Sequence, residues 1–338
     1  MRQPRTVVAG LAALAVGAAA AGYFLVTPAY RSFQGERFVK VERGSSTRVI
    51  ARQLAEAGVI QSEWAFLALR AVRPRAVLQA GEYQFIEPAS AWHIFNRLVR
   101  GDIYYFEVTI PEGSNIWDIA RLLESQRIMR ETDFLAAAAD PRLVRDLDPD
   151  ATSLEGYLFP STYRLSHSIT AVELCRMMVE QFRKQWKNLA GENRPPNEVV
   201  TLASLVEKET GYPEERSLIA GVFAHRLRIG MALACDPTVI YAAELSGAWR
   251  GRIYQTDLER KHPYNTYQRA GLPPGPIASP GAAAIKAALN PANTDNLYFV
   301  AKPEGGGHVF SATNEAHAEA VRNYRNAIAA QALARKTQ

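Results

Sequence analysis

Two carboxylates flanking a lysine, in Glu207-Lys208-Glu209-Thr210-Gly211, close the apolar run Val199-Val200-Thr201-Leu202-Ala203-Ser204-Leu205-Val206. A carboxyl drawn into apolar surroundings loses the hydration of its charged form. Its pKa rises, and near neutrality it can hold a proton and deliver it, which is general-acid chemistry. Helix geometry separates the two glutamates. At roughly 100° per residue, Val199, Leu202, Ala203 and Val206 form one stripe. Glu209 continues that stripe within about 60° of its centre, Glu207 is displaced by about 100°, and Lys208 faces away. Glu209 is therefore the candidate acid. A plainer reading also stands: a fraying last turn with both carboxylates solvated, Lys208 screening them and Thr210-Gly211 stopping the helix.

Further chemistry-bearing residues crowd the second half of the chain. Glu155-Gly156-Tyr157-Leu158-Phe159-Pro160-Ser161-Thr162-Tyr163 combines a carboxylate and two tyrosines with a Gly/Pro-shaped backbone, a composition suited to a sugar-binding wall. Asp236-Pro237-Thr238-Val239-Ile240-Tyr241 begins another element, with Asp236 or Thr238 serving equally well as a helix cap. Tyr264-Asn265-Thr266-Tyr267 precedes a Pro/Gly-rich loop, Gly271 to Gly281, too rigid for a helix or central strand and able to present hydrogen-bonding groups in fixed directions. His225, His262, His308 and His317 raise metal-dependent amidase or peptidase chemistry, but no HExxH or comparable ligand spacing is present. The expectation is no metal and no cofactor. Cys175 and Cys235 are compatible with one disulfide or with two buried thiols.

The elements that must position these groups can be read from caps and periodicity. Pro195-Pro196-Asn197 opens the acid-bearing helix with Asn197 as a natural cap, and a second helix runs from about Glu214 to Arg228 before Gly230. Ala282 to Leu289 reads as a helix, Leu297 to Ala301 as a buried strand, and Gly305-Gly306-Gly307 as a hairpin turn. Upstream lies an internal repeat. The stretch from Val41 to Leu54 can be laid on Ile110 to Leu123 with an offset of sixty-nine, each reading strand, Gly-Ser turn, helix, with Ser45 or Ser46 and Ser114 or Asn115 as caps. Such units resemble LysM-type modules, which bind N-acetylglucosamine polymers. A structural spacer is the alternative.

Residues Val7 to Val26 are twenty consecutive uncharged, mostly apolar positions, enough at 1.5 Å per residue to match a ~30 Å hydrocarbon core. With Arg2 and Arg5 before it, the expected topology is a cytoplasmic N-terminus and an extracytoplasmic remainder; a cleaved secretory signal is the alternative. The net charge of +5 and pI near 9.2 come without a basic stripe or interleaved aromatics, which argues against nucleic acid as partner and for lipid head groups or cell-wall polymers. The expected organisation is α+β: a tail over 1–6, a transmembrane helix over 7–26, a linker over 27–37, a LysM-like α+β module over 38–145, a mixed α/β catalytic domain over 150–330, and a tail over 331–338. The Asp/Pro/Arg-rich stretch from Asp140 to Ser153 marks the domain boundary.

Taken in order, Glu155-Gly156-Tyr157-Leu158-Phe159-Pro160, Ala203 to Thr210, Arg226-Leu227-Arg228-Ile229-Gly230-Met231, Asp236 to Tyr241, Tyr264 to Tyr267 and Gly271 to Ile277 resemble the endolytic murein transglycosylase family, the MltG/YceG-like group. The resemblance covers nearly the whole chain. It implies lytic cleavage of the β-1,4 bond between N-acetylmuramic acid and N-acetylglucosamine inside nascent peptidoglycan strands. The second glutamate of the Glu-Lys-Glu motif is the family's catalytic one, which corresponds to Glu209. That residue would protonate the glycosidic oxygen and then deprotonate the muramic C6 hydroxyl that closes a 1,6-anhydro ring. A hydrolytic glycosidase, by contrast, usually needs a second carboxylate about 5 Å or about 6.5–9.5 Å away. Glu155, Tyr157, Asp236, Thr238, Tyr241, Asn265 and Tyr267 are the candidate substrate-lining or oxocarbenium-stabilising residues, and Glu207 the candidate to tune Glu209 by like charge. Ser161, where the family often has Asp, and Ala316-His317-Ala318, where Glu-His-Asn is frequent, depart from the pattern and are given no role. Glycan polymerases are the expected neighbours in the cell. The competing reading is a non-catalytic cell-wall-binding scaffold.

Overall fold

The computed structural model describes residues 16–17, 20, 22–23, 26–190 and 195–336. Its contacts divide the chain into two units, residues up to 107 with 164–168, and residues 108–163 with 169–338.

The first unit runs β1 (Ala29–Tyr30), β2 (Arg37–Val41), α1 (Thr47–Glu56), α2 (Glu63–Val72), β3 (Gly81–Phe85), β4 (Ala89–Ser90) and α3 (Ala91–Arg100). β2 pairs antiparallel with β3, Val39 opposite Tyr83, and β1 pairs with β4. Ser46 and Ser90, both extended, accept the amides of Val49 and His93 and so start α1 and α3. Each helix turns one apolar face inward: Ile50 and Leu54, Phe66 and Leu69, Ile94, Phe95 and Leu98 meet Val39, Val41 and Tyr83 in a single core.

The chain continues through β5 (Phe106–Thr109), α4 (Ile116–Ser125), α5 (Glu131–Ala138), β6 (Thr162–Leu165), α6 (Ala171–Ala190), α7 (Asn197–Glu209), α8 (Arg216–Arg228), α9 (Asp236–Leu245), α10 (Gln255–Leu258), α11 (Ala282–Leu289), β7 (Tyr298–Ala301), β8 (His308–Ser311) and α12 (Asn314–Lys336). β5 pairs with β6 and β7 with β8. The centre of the second unit is α7. Every residue from Val199 to Val206 is buried, and α8 and α11 pack on it. A helix apolar all round is a core helix rather than an amphipathic one. Of its buried polar members, Ser204 donates to Thr201 O at 2.7 Å and accepts the Ile277 amide at 3.1 Å, while the Thr201 hydroxyl has no hydrogen-bond partner among the described residues. Asn197 is the first residue of α7 rather than its cap, and its side chain donates to Asp148 at 2.7 Å.

The repeat has a clear conformational basis. Gly44 and Gly113, sixty-nine apart, hold positive φ of 81° and 73° between strand and helix, where a Cβ is strained. The correspondence extends past the helices. Gly58 and Arg127 are left-handed at 70° and 58°, and each precedes a second helix, α2 or α5. The first copy belongs to the first unit and the second copy to the second.

The architecture is mixed α/β, and one part of the expected fold class is corrected. Among the described residues no helix is long and apolar enough to cross a membrane. Most of 7–26 lies outside the described residues, and the helices that are described carry the charges and polar faces of packed elements.

Candidate active site

Glu209 is the last residue of α7, and Thr210 leaves the helix in an extended conformation. The carboxyl enters a cavity of about 480 Å³ whose wall includes Phe223 and Arg226 of α8, the turn Met231–Ala234, Asp236, Tyr267, Tyr298, Phe299 and His317. Burial holds the Glu209 pKa above the ordinary carboxylate range, and the nearby charge of Asp236 adds to the rise. The neighbouring Cys235 thiol, His308 and Arg226 oppose it.

The wall is held by backbone carbonyls and paired side chains. Arg226 donates through Nε to Leu297 O and through Nη1 to Leu233 O, each at 2.6 Å, and its guanidinium lies 5.3 Å from the Tyr298 ring centre. Burial lowers the Arg226 pKa. His317 stacks on Tyr298 with ring centres 5.0 Å apart, and burial with the Arg226 charge lowers its pKa, favouring the neutral imidazole. Tyr267 donates its hydroxyl to Asp236 at 2.6 Å. β8 is tied to the segment after α7, since His308 Nδ1 lies 2.7 Å from Glu215 Oε2 and the His308 amide donates to Glu215 Oε1 at 2.7 Å.

Of the candidate catalytic and substrate-lining residues read from the sequence, Glu209, Asp236 and Tyr267 share this cavity, and His317, raised there as a metal ligand, lies on its wall. The others are placed elsewhere. Glu207 makes a buried ion pair with Arg216 at 3.2 Å and accepts the Gly281 amide at 2.9 Å, so the like charge acting on Glu209 is that of Asp236. Glu155 is buried, accepts the Ile116 amide at 3.1 Å, interacts with the Tyr241 hydroxyl, and is pushed by burial to a pKa of about 8. Tyr157 is core: its hydroxyl donates to Asp148 at 2.8 Å and its ring packs edge-on against Phe182. Tyr241 sits between Trp117 and Tyr264, with ring centres 5.3 and 4.9 Å away. Thr238 hydrogen-bonds Cys235 O at 2.6 Å and Thr266 Oγ1 at 2.9 Å. Asn265 gathers the carbonyls of Asp257, Leu258 and Arg260 and accepts the Tyr267 amide at 3.0 Å, which places Tyr267. Asp236 does not cap α9; Cys235 occupies that position and Asp236 is the first helical residue. The Pro/Gly loop is rigid but mostly buried, with Gly113 N–H donating to Ser279 O and Ser279 N–H to Ser114 O, both at 2.9 Å. Cys175 and Cys235 are free thiols.

Arg226, His317, Tyr298 and Phe299 are the wall residues that sequence reasoning left without a role. The available signal was the buried strand read at 297–301 followed by a glycine hairpin: a short two-stranded ribbon has two faces, and aromatic residues on it must pack on something.

The sequence also matches known proteins along nearly its full length. The YceG-like family profile matches residues 39–323. The endolytic murein transglycosylase of Bacillus subtilis (strain 168) is 33% identical over 328 residues, covering 91% of this chain and 90% of the relative. That of Streptococcus pneumoniae serotype 2 is 30% identical over 327 residues, covering 85% of this chain and 58% of the longer relative. A crystal structure of a YceG-like protein from Listeria monocytogenes superposes with a TM-score of 0.55 at 30% identity, covering 85% of this chain and 99% of that one. The chain belongs to the YceG-like family.

Proposed function

We propose that this protein is an endolytic murein transglycosylase that cleaves the β-1,4 bond between N-acetylmuramic acid and N-acetylglucosamine within peptidoglycan strands, with Glu209 as acid and then base. The observation that carries the residue assignment is the placement of Glu209: a carboxyl at a helix end, opening into a cavity, with its proton affinity raised by burial. The protonated carboxyl gives its proton to the glycosidic oxygen as the bond from muramic C1 breaks, and the N-acetylglucosamine leaves with a free 4-hydroxyl. The muramic C6 oxygen then bonds to C1, and its proton returns to the Glu209 carboxylate, so the enzyme ends as it began and no water is consumed. Asp236 and Tyr267 line the same cavity, where a carboxylate held by a phenol can offset positive charge developing at C1. Tyr298 and Phe299 supply apolar faces for sugar rings.

The polymer substrate puts the site of action outside the cytoplasm, where cutting strands during synthesis would set their length beside glycan polymerases. Digestion of uncrosslinked glycan strands, with product ends read by mass spectrometry, tests the reaction. Internal fragments ending in 1,6-anhydro-muramic acid, absent with Glu209→Gln, are expected. Reducing ends would mean hydrolysis and a second catalytic carboxylate.

A further inference from the structure

The ribbon of β7 and β8 turns through three consecutive glycines, Gly305, Gly306 and Gly307, with positive φ of 79°, 78° and 119°. A two-stranded ribbon has little stability of its own, and glycine loses more conformational freedom on being fixed than any other residue. A single carboxylate fixes this turn. Glu215 closes the short 3-10 turn Pro213–Glu215 between α7 and α8. Its Oε1 accepts the His308 amide at 2.7 Å, and its Oε2 lies 2.7 Å from His308 Nδ1. A Cβ at Gly307 would collide with Glu215 Oε1, so the glycine is what admits the carboxylate. Beside it the Gly306 amide donates to the Tyr212 hydroxyl at 2.9 Å, and the Tyr212 amide donates to Thr210 Oγ1 at 3.0 Å. Thr210 directly follows Glu209, so the ribbon is fastened to the segment that ends the acid's helix.

Burial alone would raise the Glu215 pKa, but the bonds from the His308 side chain and amide outweigh it and hold the carboxyl below its ordinary range. An ionised carboxylate only accepts, so His308 Nδ1 carries the hydrogen of this pair. The His308 ring in turn stands edge-on to Phe299, with ring centres 5.5 Å apart, and Phe299 meets Phe223 edge-on at 5.9 Å. Phe299 and its neighbour Tyr298 both line the cavity that Glu209 enters.

We propose that Glu215 is a positioning residue for substrate binding: through His308 its carboxylate holds the ribbon so that Phe299 and Tyr298 stand as a fixed wall for the sugar rings. The inference rests on the reading of this cavity as the glycan site. Glu215 lies outside the cavity lining, so its effect reaches the substrate through the ribbon. Apolar faces grip a sugar ring equally in the ground state and the transition state, so loosening them raises KM rather than lowering kcat.

The test is kcat and KM on uncrosslinked glycan strands for wild type, Glu215→Ala, Glu215→Gln, His308→Ala and the double variant Glu215→Ala/His308→Ala, with the thermal midpoint of each. Calorimetric binding of the same strands to Glu209→Gln, with and without Glu215→Gln, follows the wall independently of turnover. Glu215→Ala and His308→Ala are each expected to raise KM about tenfold, with kcat within about threefold of wild type. Both break one latch, so the double variant should be no worse than His308→Ala alone. Glu215→Gln keeps one acceptor oxygen and should fall between wild type and Glu215→Ala, and it carries the test if the alanine form fails to fold. In the Glu209→Gln form it should weaken strand binding about threefold. Lower thermal midpoints with KM and strand affinity unchanged would make Glu215 a stability element and overturn the proposal, as would KM effects that add in the double variant. Full activity of Glu209→Gln, with KM still raised by the Glu215 changes, would sink the Glu209 assignment alone. Strands that bind none of the forms would overturn the glycan-site reading and the proposal together.

Discussion

Glu207 and Glu209 stand two residues apart at the end of one helix and occupy opposite kinds of environment. Glu207 is fully partnered, with a guanidinium at 3.2 Å on one oxygen and the Gly281 amide at 2.9 Å on the other, which ties α7 to the start of α11. Glu209 is surrounded by protein, with the Cys235 thiol and the like charge of Asp236 beside it. A carboxylate whose lone pairs are taken up by strong donors is committed to structure, because moving its proton would break those bonds. One buried beside a cavity with weak partners keeps a proton it can transfer. The difference lies in partners supplied by distant segments, not in the helix that carries both.

The sharpest way to break this comparison is Glu209→Gln. Activity on glycan strands should fall by about three orders of magnitude or more, because the group that both gives and takes the proton is gone. Stability should hold or rise slightly, since an amide avoids the cost of burying a charge. A matched loss of activity and thermal midpoint would mean that Glu209, like Glu207, is structural.

The acid itself was legible because helix periodicity and a change from apolar to charged residues are local signals. The α7 stripe was only part of the truth. Thr201 and Ser204 lie off that stripe, yet both are buried, and Ser204 is satisfied by Thr201 O and by Ile277, seventy-three residues onward. The aromatic segment at 155–163 was misplaced for a related reason. Composition says that tyrosines have a polar tip and an apolar body, but not that Asp148 waits inside the core for the Tyr157 hydroxyl. Asp236 and Tyr267 were singled out through family motifs, whereas Tyr298 and His317 reach the cavity from the far end of the chain, where the strand and glycine hairpin signal a packed ribbon but not what it packs against. The apolar run at 7–26 lies mostly outside the described residues, among which no helix is long and apolar enough to cross a membrane.

Glu155 extends the comparison to an acid buried away from the cavity. Its folded pKa of about 8 lies above the ordinary value of 4.5. The folded state therefore binds the extra proton between those values, and the stability it contributes is present below about pH 4.5 and lost as pH rises through about 8. The full effect is on the order of 5 kcal/mol at about 1.36 kcal/mol per pH unit. Thermal or urea unfolding followed from pH 5 to 8 should show this decline in wild type, and Glu155→Gln should flatten it. A slope unchanged in the variant would place the titration elsewhere.

Glu207→Ala should act on stability first. It leaves the Arg216 guanidinium buried without its partner, a loss of about 3 kcal/mol read as a lower urea midpoint. Glu112, whose pKa is raised by burial and by Glu207, would then ionise more readily and take up part of the Arg216 charge. Adding Glu112→Gln should therefore cost more in the Glu207→Ala background than in wild type, a coupling that a double-mutant cycle measures.

The smallest effect should come from Tyr267→Phe, and it tests how Glu209 differs from Glu207 most finely. The change keeps the ring on the cavity wall and removes one hydroxyl, the donor to Asp236 at 2.6 Å. Asp236 then carries its charge with less compensation beside Glu209, which raises the Glu209 pKa further, and the carboxylate loses the partner that fixes its position in the cavity. Loss of one such hydrogen bond is worth about 1 kcal/mol, so kcat should fall about fivefold to tenfold with KM held, and its alkaline limb should move to higher pH. If KM rises instead while kcat and the limb stay in place, the Tyr267 hydroxyl is a sugar contact and Asp236 acts on Glu209 without it.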